Sequence, residues 1–597
     1  MNLRTFILSL FISHSVGVVS FADSVHTQTE GLPISTKSEL QNQIIFTRIA
    51  TDIRYFHPSD GVENTDWDKF LAMGMQAVTE TPAEQLPNKL RELFSDIAPQ
   101  MEINGEPTAI FKVPTGAIVK VWEQNGYIEE QDYDPELSVY QRKRIEKPLR
   151  EVSELEFPEL AKYGAVEVSI PMIQYMGSNG ETLPLSTGFR SDQEVSKDLA
   201  SQYTCKASVA KIWGVIQSFF PYFKSRAVNW EAELAPLLLS CEEGSIDSFF
   251  SALRRSLTKL GDNHLKIMTL LDERQFTVPV GFLWINEKIV AGYKANAEHS
   301  EIKIGDELIA VDGVATDELV ERLEPLALTS RHRGKDIVAM KEIIRRKWSE
   351  SVTLKFKNPS GVVYSVASSA SEKSSDIFYA TEDAYNFANT PLQKDLGRGI
   401  RYVNLSASKL ENLASNIEFL RGAKAIVLDL RTYPVEWKGW RGLLAHFSNK
   451  EFHTMPLFDR NQTRPNQNGT VLTKIEQSIT PQEPFISVPT VVLSSKFSIS
   501  QNEHALGYVQ NAGLPILGER TYGINGNVTL INILGGEKTG TGLSVRFTGM
   551  EATQNDGSDL IGVGIIPDIE VARTIEGVRN GDDEILKAAI KYLKEKI

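Results

Sequence analysis

Ser500 lies in the run Pro489-Thr-Val-Val-Leu-Ser-Ser-Lys-Phe-Ser-Ile-Ser-Gln-Asn-Glu503, after a buried-type strand and at the start of a helix. A hydroxyl at that junction sits among backbone N–H groups with no intrahelical acceptor. These stabilise negative charge, as an acyl-transfer nucleophile requires. Ser500-Gln-Asn-Glu503 ahead of Ala505, Leu506, Tyr508 and Val509 also reads as a capping box, in which Ser500 and Glu503 satisfy each other's backbone donors. The two roles are compatible, so the surroundings must decide. Neither Cys-x-x-Cys nor His-Glu-x-x-His occurs and the nine histidines are scattered, so neither a metal centre nor a cofactor is expected.

Three further segments accompany this serine in a fixed order. Ala423-Lys-Ala-Ile-Val-Leu-Asp-Leu-Arg-Thr-Tyr-Pro434 reads as a buried strand ending in Asp429-Leu-Arg431; Leu517-Gly-Glu-Arg-Thr-Tyr-Gly523 and Gly562-Val-Gly-Ile-Ile-Pro-Asp568 follow downstream. The series resembles the tail-specific, or C-terminal processing, serine proteases. Within them it is most similar to the branch that includes the tricorn protease core and the interphotoreceptor retinoid-binding protein. The resemblance covers roughly the last two thirds of the chain.

The resemblance implies where a general base belongs. Bacterial processing proteases place a lysine just after the Gly-Glu-x-Thr/Ser-x-Gly turn, but here that residue is Ile524, which has no proton to exchange. The tricorn-like branch uses a histidine in a Leu-x-(Asp/Gly/Glu)-x-His pattern, matched by Leu260-Gly-Asp-Asn-His264, so His264 is the expected base. With an unperturbed pKa near 6.5, it would give hydrolysis an acid limb at about pH 6 to 7. Lys496 and Lys538 are the lysines nearest Ser500 in sequence should His264 not serve. Relatives orient the base with a glutamate at the position held here by Ile561; Asp559 is the expected substitute, with Glu503 as the alternative. The N–H of Gln501 is the expected oxyanion donor. The loop Thr432-Tyr-Pro-Val-Glu-Trp-Lys-Gly439 lacks the relatives' Gly-Gly pair, so a second donor is not assigned.

The elements around these residues suggest an α+β multidomain chain. Residues 1–22, with Arg4 and an apolar run from Phe6 to Phe21, read as a signal peptide cut after Ala22; Ser9, Ser13, His14 and Ser15 make the run a poor permanent span. Ile49 to Trp67 and Ile212 to Trp230 look like two copies of one unit, giving helical segments at 23–104 and 193–275, the second carrying His264. A small β domain is expected at 105–192 from short alternating runs broken by Gly, Pro and Asn. Residues 276–366 resemble a PDZ module through Ile302-Lys-Ile-Gly-Asp-Glu-Leu-Ile-Ala-Val-Asp-Gly313, with Gly281 and Phe282 at the carboxylate-binding loop. Ser-rich 367–390 is read as a linker, and 391–597 as a layered α/β, crotonase-like spiral catalytic domain.

Composition sets outer bounds. The chain has 597 residues with 41% hydrophobic and 23% charged content, ordinary for several globular domains, and a net charge of −14. Such acidity disfavours nucleic acid and anionic membranes as partners, and no later stretch is a membrane span; the resemblance to the processing proteases is what implies polypeptide substrates as the partner. Cys205 and Cys241 either pair in an oxidising compartment or remain buried thiols.

Overall fold

Strand Ala425–Asp429 is buried along its whole length, as a central strand of a parallel sheet must be when both faces are covered. In the computed structural model, residues 34–597 are described apart from 112–116, 130, 131, 133, 135–137, 153–157, 298 and 534–541. The expected signal peptide and Lys538 lie outside the described residues. The chain divides into two compact units: Met1–Lys120 with Lys147–Trp213 and Asn229–Ser245, and Val121–Glu146 with Gly214–Val228 and Ile246–Ile597.

In the second unit a six-stranded sheet runs in the order Gln393–Asp395, Ile400–Asn404, Ala425–Asp429, Thr490–Ser494, Ile516–Gly518 and Ile569–Glu570. The first pair is antiparallel and the rest parallel. Alternation along each strand sorts side chains to two cores. Val403, Ile426, Leu428 and Val492 pack with Trp440, Leu443, Leu506 and Val509 of covering helices, while Tyr402, Ala425, Val427 and Val491 pack with Ile585, Ala589 and Leu593 of the C-terminal helix. This is a helix, sheet, helix sandwich, and Ser500 lies where the fourth strand hands over to helix Gln501–Asn511.

Two smaller sheets flank it. Val528–Ile533, Leu543–Thr548 and Lys266–Thr269 form an antiparallel trio, with Lys266 opposite Arg546. Val280–Ile285, Lys288–Lys294, Glu307–Val311, Ser351–Lys357 and Val363–Ser369 form an antiparallel sheet in that order. Its core is shared with Phe497, Tyr522 and Val578 of the sandwich.

Residues 367–390 are not a linker. They contain the end of strand Val363–Ser369 and helix Ser374–Tyr385, whose Ile377, Phe378, Thr381 and Tyr385 are buried. The polar composition belongs to an exposed edge strand and the outer face of this helix; the apolar spacing at i, i+1, i+4 and i+8 carries the packing.

The first unit is led by helix Ile34–Phe56 and contains helices Trp67–Thr79 and Leu86–Phe94. Its strands do not make the separate domain expected at 105–192: Glu102–Ile103, Glu106–Pro107, Val166–Ile170 and Glu159–Tyr163 form one sheet inside this unit, and residues 121–146 belong to the other. The Tyr163 hydroxyl donates to Asp52 at 2.8 Å, tying that sheet to helix Ile34–Phe56. The second expected helical domain is also divided, since 214–228 and 246–275 group with the sandwich. The matching tryptophans are used differently: the Trp67 indole donates to Val62 O at 3.0 Å, whereas Trp230 and Trp213 donate to each other's carbonyls at 3.1 Å. Cys205 and Cys241 form a disulfide, with Cα atoms 5.6 Å apart.

Candidate active site

The backbone at Ser500 adopts φ 56° and ψ −113°, a conformation that ordinarily needs glycine. A β-carbon there is strained, and such strain at a strand-to-helix turn is a mark of an exposed nucleophile. The Ser500 side chain makes no cap hydrogen bond, so the expected capping box does not form through the hydroxyl. Instead the Ser500 N–H donates to Ile524 O at 2.8 Å, and half-buried Ser500 keeps its hydroxyl off the helix backbone. Gln501 opens helix Gln501–Asn511, so its N–H is among the first-turn donors that lack an intrahelical acceptor.

Glu503 is fully buried and holds the next turn rather than the imidazole. Its carboxylate accepts from the Thr521 hydroxyl, from Gly523 N–H at 2.9 Å and from Ile524 N–H at 2.6 Å. Burial pushes its pKa up to about 7, opposed by those donors. The motif residues therefore act on one another. Thr521 N–H donates to Ile565 O at 3.1 Å, Ile565 N–H donates to Thr521 Oγ1 at 2.7 Å, and Gly562 N–H donates to Gly523 O at 2.7 Å. A β-carbon on Gly523 would lie 2.2 Å from Leu560 O and one on Gly564 2.0 Å from Thr521 O, which is why glycine stands at both. Asp429 and Asp583 clamp Arg431, which is 1% exposed, so Asp429-Leu-Arg431 is a structural lock at the strand end.

His264 reaches the site through strand register. Lys266 faces Arg546, so continuing the antiparallel pairing outward brings His264 opposite Thr548. His264 Nδ1 lies 2.9 Å from Thr548 Oγ1, and Thr548 Oγ1 lies 2.8 Å from Asp262 Oδ1. The same Oδ1 accepts the His264 backbone N–H at 2.8 Å, and Oδ2 accepts the Thr548 N–H at 2.6 Å. Burial raises the Asp262 pKa, against the pull of these donors. His264 is 7% exposed; burial first, then Arg546 and Arg333, lower its pKa to about 3. The imidazole is thus neutral across the ordinary pH range, and its unperturbed value near 6.5 does not apply.

No hydrogen bond joins His264 to Ser500. Both nevertheless border the turn Thr521 to Ile524: Ser500 bonds Ile524 O, while Asn263, next to His264, donates to Tyr522 O at 2.8 Å and Gly523 O at 3.3 Å. Catalytic hydrogen bonds are often long before substrate binds. Asp559 makes no hydrogen bond to His264; its backbone pairs with Thr553 across a surface turn, and its charge acts on Glu551. Lys496 pairs with Asp336 and donates to Trp284 O at 3.1 Å, so it is held away from base duty.

Gly281 and Phe282 do not form an open peptide-binding loop. A β-carbon on Gly281 would fall 1.8 Å from Thr381 Oγ1 and 3.3 Å from Ile377 Cγ2, because helix Ser374–Tyr385 lies over it. Phe282 is 2% exposed and its ring centroid lies 6.3 Å from that of Phe356. Three residues escaped sequence reading. Asp262 and Thr548 support His264, and Asn502 donates to Leu430 O at 2.6 Å and Thr432 O at 2.7 Å, fixing the loop after Arg431. Asp262, two residues before His264 in the same motif, was the one with a local signal. Among the described residues no group of three or more His, Cys, Asp or Glu could hold a metal ion, and no helix is long and apolar enough to cross a membrane.

Comparison with known proteins adds to this geometry. The model of peptidase family S41 matches residues 399–571. Among solved structures, mature CPAF complexed with lactacystin is similar at 15% identity and a TM-score of 0.50, over 65% of this chain and 97% of that one. A serine-to-alanine mutant of CPAF gives 14% identity and a TM-score of 0.51, over 65% and 95%. The photosystem II D1 C-terminal processing protease is similar at 16% identity, with a TM-score of 0.36 over 66% and 99%. A search of curated proteins by sequence found no match.

Proposed function

We propose that this chain, whose residues 399–571 match the model of peptidase family S41, is a serine peptidase that cleaves flexible or unfolded polypeptides by an acyl-enzyme route, with Ser500 as nucleophile and His264 as general base. The observation that carries this reading is the Ser500 backbone, held at φ 56° and ψ −113° at the mouth of helix Gln501–Asn511 with its hydroxyl unused by the cap. A neutral His264 has a nitrogen free to take the hydroxyl proton, and the Gln501 N–H is placed in the helix turn that would meet the oxyanion. The tricorn-like choice of base is favoured by Ile524 at the lysine position and by the engagement of Lys496 with Asp336.

Export fits the N-terminal residues 1–22 and the Cys205–Cys241 disulfide, because disulfides persist in oxidising compartments. The sheet of residues 280–369 is proposed to be a PDZ-like module that supports the nucleophile loop, and the sandwich a crotonase-like spiral. A second reading, a peptide- or ligand-binding protein on a protease scaffold that no longer cleaves, is favoured by one observation: Ile561 stands where relatives carry the orienting acid. The two are separated by treating the protein with a serine-reactive fluorophosphonate and locating the adduct by peptide mass. Modification of Ser500 is the expected result, and an unmodified Ser500 under conditions that label another family S41 peptidase supports the binder.

A further inference from the structure

We infer that Asp262 and Thr548 are positioning residues that fix His264 as the Nδ1–H tautomer, so that a hydroxyl relay replaces the acid absent at Ile561. The inference rests on the reading of His264 as base and follows from counting protons among three side chains and the two backbone N–H groups that bond them. The Asp262 carboxyl has two oxygens, and each already accepts a backbone N–H: Oδ1 from His264 at 2.8 Å and Oδ2 from Thr548 at 2.6 Å. Two such donors favour the ionised, acceptor-only form, against the burial that raises this carboxyl's pKa. The Thr548 hydroxyl has one proton and two neighbours, Asp262 Oδ1 at 2.8 Å and His264 Nδ1 at 2.9 Å. Facing an acceptor-only carboxylate, it donates there, and its oxygen is left to accept. Nδ1 must then carry the hydrogen, which puts the lone pair on Nε2.

The consequence for the reaction is local. When Ser500 Oγ attacks a carbonyl, its proton passes to Nε2 and His264 becomes an imidazolium that keeps its Nδ1–H bond to Thr548. Arg546 donates to His264 O at 3.1 Å, and both Arg546 and Arg333 oppose positive charge on the ring. Asp262, joined to the ring through one hydroxyl, is the negative group that offsets them. The geometry assigns the orienting role that the sequence placed on Asp559 to a residue two positions before the base.

The tautomer can be read without any turnover. In protein labelled with 15N-histidine, the His264 signals, identified by their loss in His264→Gln, should show a protonated Nδ1 and an unprotonated Nε2 near neutral pH. Thr548→Val should shift that pattern towards Nε2–H, and Thr548→Ser should restore it. In peptide hydrolysis Thr548→Val should lower kcat by roughly 10²-fold or more with KM little changed, again restored by serine. An Nε2–H tautomer in the unsubstituted protein, or full kcat in a folded Thr548→Val variant, overturns the relay. If the Nδ1–H tautomer and its response to Thr548→Val are found but no peptide is cleaved, the relay stands and the peptidase reading of the site is what fails.

Discussion

Asn263 donates its side-chain N–H to Tyr522 O at 2.8 Å, so the residue beside the candidate base is fastened to the turn against which the candidate nucleophile is held. The same Asn263 accepts from Thr329 Oγ1 and from Ser330 N–H at 2.8 Å. A single amide thereby ties the His264 loop, the Thr521 to Ile524 turn and the loop near Ser330 into one assembly. Two residues separated by more than two hundred positions in sequence are placed by a third that does no chemistry.

Ser500→Ala should abolish hydrolysis without unfolding the protein. The hydroxyl makes no cap bond, so its loss should change stability by no more than about 0.5 kcal/mol, less than the usual cost of losing a cap. Ser500→Gly should raise stability by about 1 kcal/mol, because glycine adopts the observed φ and ψ without strain. Urea unfolding of the three proteins measures both; a stabilised Ala and a destabilised Gly would mean that the turn is not strained.

The acid limb of hydrolysis should lie well below the window of about pH 6 to 7 expected of an unperturbed histidine. His264 has its folded-state pKa lowered to about 3, so it remains in the base form as pH falls from neutrality until that value is approached. A profile of kcat/KM against pH tests this, and a limb assigned to His264 near pH 6.5 would show that the ring is better solvated than the buried geometry implies. His264→Ala should reduce kcat by a factor on the order of 10³, whereas Asp559→Asn should leave it nearly unchanged, since the side chains bonded in line with the imidazole are Thr548 and Asp262.

Glu503→Gln should loosen the turn beside the nucleophile and change the pH dependence of stability. Losing one of the oxygens that accept the Gly523 and Ile524 N–H groups should cost about 1 to 3 kcal/mol in acid solution, and the difference should narrow as pH rises and burial penalises the ionised carboxylate. The folded-state pKa of Glu503, about 7, is raised above its ordinary 4.5, so protonation stabilises the native form fully below about 4.5 and this contribution is lost as pH rises through about 7. The substituted protein should lack that slope. Denaturation midpoints taken between pH 4.5 and 8 would contradict this if the two proteins run parallel.

Deleting residues 276–366 should eliminate reaction at Ser500 towards small esters together with peptide cleavage. Phe497, three residues before the nucleophile, and Tyr522 are buried in the core of that sheet, and Lys496 is anchored to Asp336 and Trp284 within it. A truncated protein that folds and still reacts with a small ester would show the module to be dispensable for the site. Gly281→Ala offers a finer probe: its β-carbon would meet Thr381 Oγ1, so stability should fall by about 1 to 3 kcal/mol, measurable as a lowered Tm.

Much of the site was legible in sequence because its signals are local. A strand of five buried residues, a serine opening a helix, and glycines in tight turns are decided by period, by polarity and by the absence of a β-carbon. The same local reading points to His264 as candidate base through a family pattern, but it does not reach the neighbours. Only the Glu503 half of the expected capping box forms, because spacing alone cannot show that the Ser500 hydroxyl makes no cap bond or that Glu503, besides the Ser500 N–H, takes up a turn about twenty residues downstream. Gly281 looked like a binding loop because helix Ser374–Tyr385, which covers it, is nearly a hundred residues away. Proximity to a motif points to Asp559, whereas the hydrogen-bond partner of His264 is set by antiparallel register between strands separated by more than 270 residues. The pKa of the imidazole likewise depends on what buries it and on two arginines from other elements. Backbone conformation and side-chain period are properties of short segments, so the sequence by itself determined them; hydrogen-bond partners, coverage and electrostatic environment arise when distant segments meet, and only the tertiary structure decided those.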